Sequence, residues 1–245
     1  MDFIKDFIDK NKKLSITILL AVSTLFYTIL VAAIDRKPIG PQGSKVGWSA
    51  LNGSFRDAIG QHPAWDKFTD VLMVLAILVA LSFVAIGVMQ LIQRKNIFKV
   101  DKTIWGMAGL YVLMVIVYIV FDKIIKVNMR PILEEGDKLE CSYPSSHVLV
   151  ICTIMGSAYV AWGQIKFLTE RKMILEICKI AAIGIMALAI AGRLVSGVHW
   201  FTDIFGGMLF AATLISAYIA AVPMIKFKAK EKKLTKREER EATIY

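Results

Sequence analysis

Tyr143-Pro144-Ser145-Ser146-His147 opens an apolar run from Val148 to Trp162, and the reading of that stretch decides the fold. Pro144 cannot continue a helix backwards, either Ser145 or Ser146 can cap one, and the uncharged run beyond supplies the helix. Two hydroxyls, several unpaired backbone N–H groups and an imidazole therefore gather at one helix N-terminus. Free amides at the positive end of a helix dipole make an anion site, with phosphate the obvious ligand. His147 stands where a proton donor to that anion would be wanted.

The apolar character recurs along the whole chain. Hydrophobic residues make up 56% of 245 and the mean hydropathy is +0.59. Six apolar spans can be read, at 14–34, 71–92, 104–120, 148–162, 173–191 and 204–225. A hydrocarbon core needs about 20 helical residues, so the third and fourth spans are short. Both extend through polar flanks, 121–127 and 143–147, where a site at the membrane interface would sit. An all-α integral membrane protein, a six-transmembrane helix bundle, is expected instead of the soluble domains that length alone would suggest. The first span is longer than the apolar core of a signal peptide and reads as an uncleaved anchor.

Twenty of the thirty lysines and arginines lie in the 1–13, 94–102, 166–179 and 226–240 segments, which six alternating spans put on one side. Both termini are expected to be cytoplasmic. The net charge of +10 is then membrane-surface and topology charge, and calls for no nucleic acid partner. The expected organisation is one membrane domain over 1–225 and a charged cytoplasmic tail over 226–245, with oligomeric state left open. In the 35–67 segment, Trp48–Asn52 and 55–65 read as an interfacial helix with Trp48 and Trp65 in the membrane belt, and His62 as a surface residue. Of Cys141, Cys152 and Cys178 only the first falls in an outer loop, so neither a disulfide framework nor a metal site is indicated.

Three polar clusters fall at one face of the membrane. Lys123 and Arg130 are seven residues apart, on one face of a continuing helix that Pro131 would end; Lys126 is off that face and reads as plain flanking charge. The second cluster is Ser145-Ser146-His147. The third is Arg193 to Asp203, in which His199 and Asp203 are spaced i, i+4, so that the carboxylate can orient the imidazole and leave its other nitrogen free. Only three histidines are present, and two lie at the outer boundary of the fourth and sixth spans. Ionisable groups at membrane depth are costly and usually functional. Two histidines, a carboxylate, three cations and a helix N-terminus at one place suit phosphoryl transfer: cations hold the oxygens, one imidazole attacks and the other protonates the leaving oxygen.

In that order, Lys-x6-Arg-Pro, Pro-Ser-x-His and Arg-x5-His-x3-Asp resemble the three signature motifs of the type-2 phosphatidic acid phosphatase superfamily, which is similar in its core to vanadium haloperoxidases. The resemblance runs from Lys123 to Asp203 and, by helix layout, over most of the chain. It implies His199 as the nucleophile forming a phosphohistidine, Asp203 as its orienting partner and His147 as the general acid. Lys123, Arg130 and Arg193 would bind phosphate oxygens, with Ser145 and the Ser146 amide completing the cradle; no metal or other cofactor is implied. The substrate would be a membrane lipid phosphate such as undecaprenyl diphosphate, phosphatidylglycerophosphate or phosphatidic acid, met on the extracytoplasmic side of the plasma membrane. Ser146 stands where the family usually has glycine, and Gly192 where it usually has serine. A lipid phosphotransferase using the same phosphohistidine, or a non-catalytic lipid-binding or transport protein, would be the rival readings.

Overall fold

The computed structural model describes residues 11–132 and 138–225; the expected charged tail over 226–245 lies outside them. The described residues are helical: α1 Lys12–Ala33, α2 Ser49–Ile59, α3 Pro63–Arg94, α4 Lys102–Ile119, α5 Ser146–Trp162, the short α6 Lys166–Thr169, α7 Lys172–Ser196 and α8 Phe201–Ala221. Their only β-pairing is two isolated bridges, Lys37 with Val46 and Met129 with Cys141.

Among the described residues, five stretches are long and apolar enough to cross a membrane: Lys12–Ala33, Pro63–Arg94, Lys102–Ile124, Lys172–Ser196 and Phe201–Met224. In α1, α3 and α7 only 17% of the most apolar window is buried. Leu, Ile and Val side chains such as Leu19, Val71, Leu78 and Ile180 face outward, an arrangement that lipid tolerates and water does not. The chain is a multi-pass helical membrane protein.

The sixth expected span, α5, is different. It has 17 residues, about 26 Å at 1.5 Å per residue, and falls below the length of the other five. It is the central helix: Val148, Leu149, Ile151 to Ala158 and Ala161 are buried among α3, α4, α7 and α8. A helix enclosed by protein over most of its surface need not match the lipid thickness, which is how the sequence that carries the anion-site motif can be the shortest.

Two expectations about local structure are corrected. The proposed helix over 55–65 is broken: α2 ends at Ile59, Gly60 has φ +71°, and Pro63 starts α3. Trp65 therefore belongs to α3, which begins eight residues before the apolar span at Val71 and brings Asp66 beside Arg193 and Asp70 beside His147. The helix expected to join Lys123 to Arg130 is also absent. α4 relaxes into a π-helical turn over Val120–Ile124 and stops at Ile125; residues 125–131 are non-helical and bridge to the 139–142 segment through Met129 and Cys141. Buried Asn128 takes part in that pairing, accepting the Ser142 N–H at its carbonyl (2.9 Å), a competition that a helical continuation cannot satisfy.

Candidate active site

Gly197, at φ +73°, ends α7 in the left-handed conformation, and a Cβ there would collide with the Gly60 carbonyl. The chain turns sharply and α8 begins at Phe201, with Trp200 as its N-cap. His199 thus precedes the helix and does not sit on it as the i, i+4 reading supposed. Asp203, in the first turn, accepts the Trp200 backbone N–H at Oδ2 (3.1 Å) and the Asn128 Nδ2–H at Oδ1 (2.9 Å). His199 Nδ1 lies 3.8 Å from the same Oδ2. Both residues are buried, Asp203 completely. Burial, then the positive charges of Arg193 and Arg130 and the neighbouring His147, hold the His199 pKa well below the ordinary imidazole value, so the ring is neutral near pH 7 and keeps a lone pair.

The Ser145-Ser146-His147 end of α5 is tied directly to this group. Ser145 is the N-cap residue, but its side chain makes no capping bond; instead its backbone N–H donates to the Asp203 carbonyl (2.9 Å). Tyr143 fixes the approach, with its hydroxyl 2.7 Å from Thr28 and its ring edge-on to Phe121 at 5.9 Å. Burial raises its phenol pKa. Gly206 is required opposite it, since a Cβ would stand 2.6 Å from the Tyr143 ring.

Arg193 is 1% exposed. One guanidinium nitrogen donates to Asp66 in a short ion pair and to Thr69 Oγ1 at 3.1 Å. His147 Nε2 is 2.8 Å from Asp70 Oδ1. Asp66 and Asp70, one turn apart on α3, were not singled out from the sequence. Their only signal was i, i+4 spacing of carboxylates just ahead of an apolar span. Gly192 has a packing reason: a Cβ would be 2.6 Å from the Thr69 methyl, so α3 occupies the room a serine would need. The Thr69 hydroxyl, already donating to the Asp66 carbonyl (2.7 Å), takes a place beside Arg193.

Buried polar atoms without a hydrogen-bond partner gather here, among them Ser142 Oγ, Ser145 Oγ, His147 Nδ1, Arg193 Nε and both His199 ring nitrogens. Buried polar groups are normally paired; such a concentration fits an anion that supplies acceptors. Beside His199 opens a cleft of about 300 Å³ lined by Lys123, Lys126, Arg130 and Ser146, with Tyr118, Phe121 and Leu149 as its apolar wall. Lys126, read from the sequence as flanking charge, shares the cleft with Lys123. Lys123 pairs with Asp122 (2.7 Å) and Arg130 with Glu140 (3.2 Å), both at partly exposed positions. Exposed pairs of this kind contribute roughly 0–1 kcal/mol, so an arriving phosphate can displace either carboxylate at small cost. Among the described residues no cluster of three His, Cys, Asp or Glu side chains forms a metal site, and the three cysteines are free.

A helical membrane bundle with a buried histidine–aspartate pair beside a cationic cleft defines the class as a phosphate-handling membrane protein. A model of the PAP2 superfamily matches residues 108–227, and the chain belongs to that superfamily. Among solved structures, it resembles the crystal structure of the first transmembrane PAP2-type phosphatidylglycerolphosphate phosphatase from Bacillus subtilis, with a TM-score of 0.59, 21% identity, and coverage of 85% of this chain and 98% of that one. At that identity the likeness concerns the fold. Comparison with curated protein sequences gave no significant match.

Proposed function

We propose that the protein is a metal-independent membrane lipid phosphatase working through a phosphohistidine. The observation that carries this reading is the placement of His199: buried, neutral, with Nδ1 toward Asp203 and the cationic cleft beside it. Nε2 of His199 attacks phosphorus and the bond to the leaving oxygen breaks, while His147 gives that oxygen its proton. Water then attacks phosphorus, giving a proton to His147 as the phosphorus–oxygen bond forms, and the phosphorus–nitrogen bond breaks to release phosphate and restore His199. Arg193, Arg130 and Lys123 hold the phosphoryl oxygens, and Ser145 with the Ser146 amide at the start of α5 completes the cradle. Asp203 orients His199 and stabilises the imidazolium character that develops on it.

The cleft lies between the end of α4 and the start of α5, with an apolar wall on the bundle side. A lipid whose tail remains in the bilayer can present its headgroup sideways there. Undecaprenyl diphosphate, phosphatidylglycerophosphate and phosphatidic acid all meet that description. With α5 counted as the sixth span and the basic segments cytoplasmic, the site faces the outside of the plasma membrane.

The test is phosphate release from a panel of lipid phosphates and diphosphates by the purified protein, with and without chelator, beside His199→Ala. Release that survives chelation and vanishes in His199→Ala, while lipid binding persists, is the expected result. Full turnover by His199→Ala would remove the nucleophile from this scheme. Release only when an acceptor lipid or sugar is added would instead make the protein a phosphotransferase, and binding without any release a carrier.

A further inference from the structure

His147 has two ring nitrogens with unlike surroundings. Nε2 is 2.8 Å from Asp70 Oδ1, whereas Nδ1 is buried and makes no hydrogen bond. His147 is held from α5, Asp70 from α3, and α3 packs along both α5 and α7. The same face of α3 carries Asp66, paired with Arg193. One helix thus grips both the histidine of the second motif and the arginine of the third through carboxylates four residues apart. α3 starts at Pro63 and approaches α7 closely where Thr69 seats over Gly192.

We propose that Asp70 is the positioning residue of the general acid and that Nδ1 of His147 is the atom from which the proton leaves. This rests on the phosphatase reading above. A carboxylate on Nε2 keeps that proton in place and sets the ring plane, so only Nδ1–H of the imidazolium can travel. In the first half-reaction His199 Nε2 bonds to phosphorus, the phosphorus–oxygen bond breaks, and Nδ1–H passes to the leaving oxygen, giving the alcohol. In the second, Nδ1 takes a proton from the attacking water as the phosphorus–nitrogen bond breaks. His147 ends as the imidazolium it was, and the sum is ester plus water to alcohol plus phosphate. Asp70 touches neither substrate nor the transferred proton. Its side chain is largely exposed, so its removal leaves no buried group of its own unpaired, and the folded protein should survive the change.

A proton donor matters most for a poor leaving group. Phosphatidic acid expels an alkoxide that must be protonated, whereas 4-nitrophenyl phosphate expels a stable phenolate. The parameter to compare is kcat/KM, because it covers only the steps through phosphoryl transfer to His199. In the full-length protein, Asp70→Ala is expected to lower kcat/KM for phosphatidic acid by about 30-fold, part of the roughly 10²–10⁴ that a positioned acid supplies. With 4-nitrophenyl phosphate the loss is expected to stay within about threefold, since little proton transfer is needed. His147→Ala should show the same selectivity, and Asp70→Ala added to it should cost nothing more, as for residues that act as one unit. Asp70→Asn, which keeps an acceptor for Nε2–H but not the charge, should fall between wild type and Asp70→Ala.

Equal losses on both substrates would mark Asp70 as a merely structural residue and overturn the proposal. So would additive losses in the double variant, or an unchanged rate on phosphatidic acid. If wild type hydrolysed no member of the panel of lipid phosphates and diphosphates, or if His199→Ala retained activity, it would be the phosphatase reading itself that failed. If another lipid of the panel is the substrate, the same comparison is made with that lipid in place of phosphatidic acid.

Discussion

Replacing Asn128 by alanine separates what holds Asp203 in place from what holds the loops together. Asn128 is fully buried; its Nδ2 donates to Asp203 Oδ1 at 2.9 Å, and its Oδ1 accepts the Gly47 N–H at 3.1 Å. Alanine leaves a carboxylate oxygen and a backbone N–H buried without partners. A hydrogen bond to a charged group contributes about 1.5–3 kcal/mol and an orphaned buried donor costs about 1–3 kcal/mol, so a destabilisation of about 2–5 kcal/mol is expected. Asp203 is also free to turn away from His199. Displacement of a catalytic group by about 1 Å can cost about 10²-fold, so kcat per folded molecule should fall by about 10- to 100-fold. Asn52→Ala is the control. Asn52 is equally buried, donates to the Gly47 carbonyl (2.7 Å) and to Thr202 Oγ1 (2.9 Å), and accepts the Thr202 N–H (3.2 Å), yet it has no hydrogen bond to Asp203. Its stability loss should be of similar size, with little change in turnover per folded molecule. The assay pairs thermal unfolding in detergent with phosphate release well below the midpoint. A folded Asn128→Ala enzyme with near-wild-type kcat, or an Asn52→Ala enzyme equally disabled, would refute the assignment of Asn128 to the support of Asp203.

Two further outcomes follow from charge and burial. His199 is held neutral in the fold, by burial first and by Arg193 and Arg130 next, while an unfolded histidine titrates near pH 6.5. Its folded pKa is the lower one, so its contribution to stability is intact above about pH 6.5 and is lost as pH falls below that value, where the unfolded chain gains a proton that the folded one refuses. Thermal midpoints measured from pH 7.5 to 5 should therefore drop less steeply in His199→Gln than in wild type; parallel curves would contradict a neutral buried ring. The proposed topology is checked at Cys141, which is partly exposed in the segment between α4 and α5 and free. Membrane-impermeant thiol reagent should label it in intact cells, and labelling only after lysis would reverse the orientation of the site.

The helices and the three clusters were legible because their signals are local: uninterrupted apolar runs, a proline–serine helix start, a histidine and aspartate at short spacing. The missing parts depend on distant pairs. Asp66 and Asp70 precede the apolar run of α3 and look like ordinary flanking charge until α3 is seen packed against α5 and α7. Asn128 lies between Lys123 and Arg130, where helical spacing was the natural inference; the bridge from Met129 to Cys141 displaced that helix, and no local propensity announces it. Gly192 reads as the loss of a hydroxyl from sequence alone, yet against Thr69 it is the residue that lets α3 approach.

The same distinction explains how the site divides its supports. Under the proposed mechanism the two histidines sit on segments whose geometry is set locally, His147 at the start of α5 and His199 beside the turn at Gly197. Those that hold them in register come from elsewhere in the chain: α3 through Asp66 and Asp70, and the 125–132 segment through Asn128. In that reading the orientation of the reacting groups is spread over several helices. A shift of α3 relative to α5 and α7 would move the His147 and Arg193 contacts together, while leaving the Asn128–Asp203 hydrogen bond, which α3 does not touch, as it is.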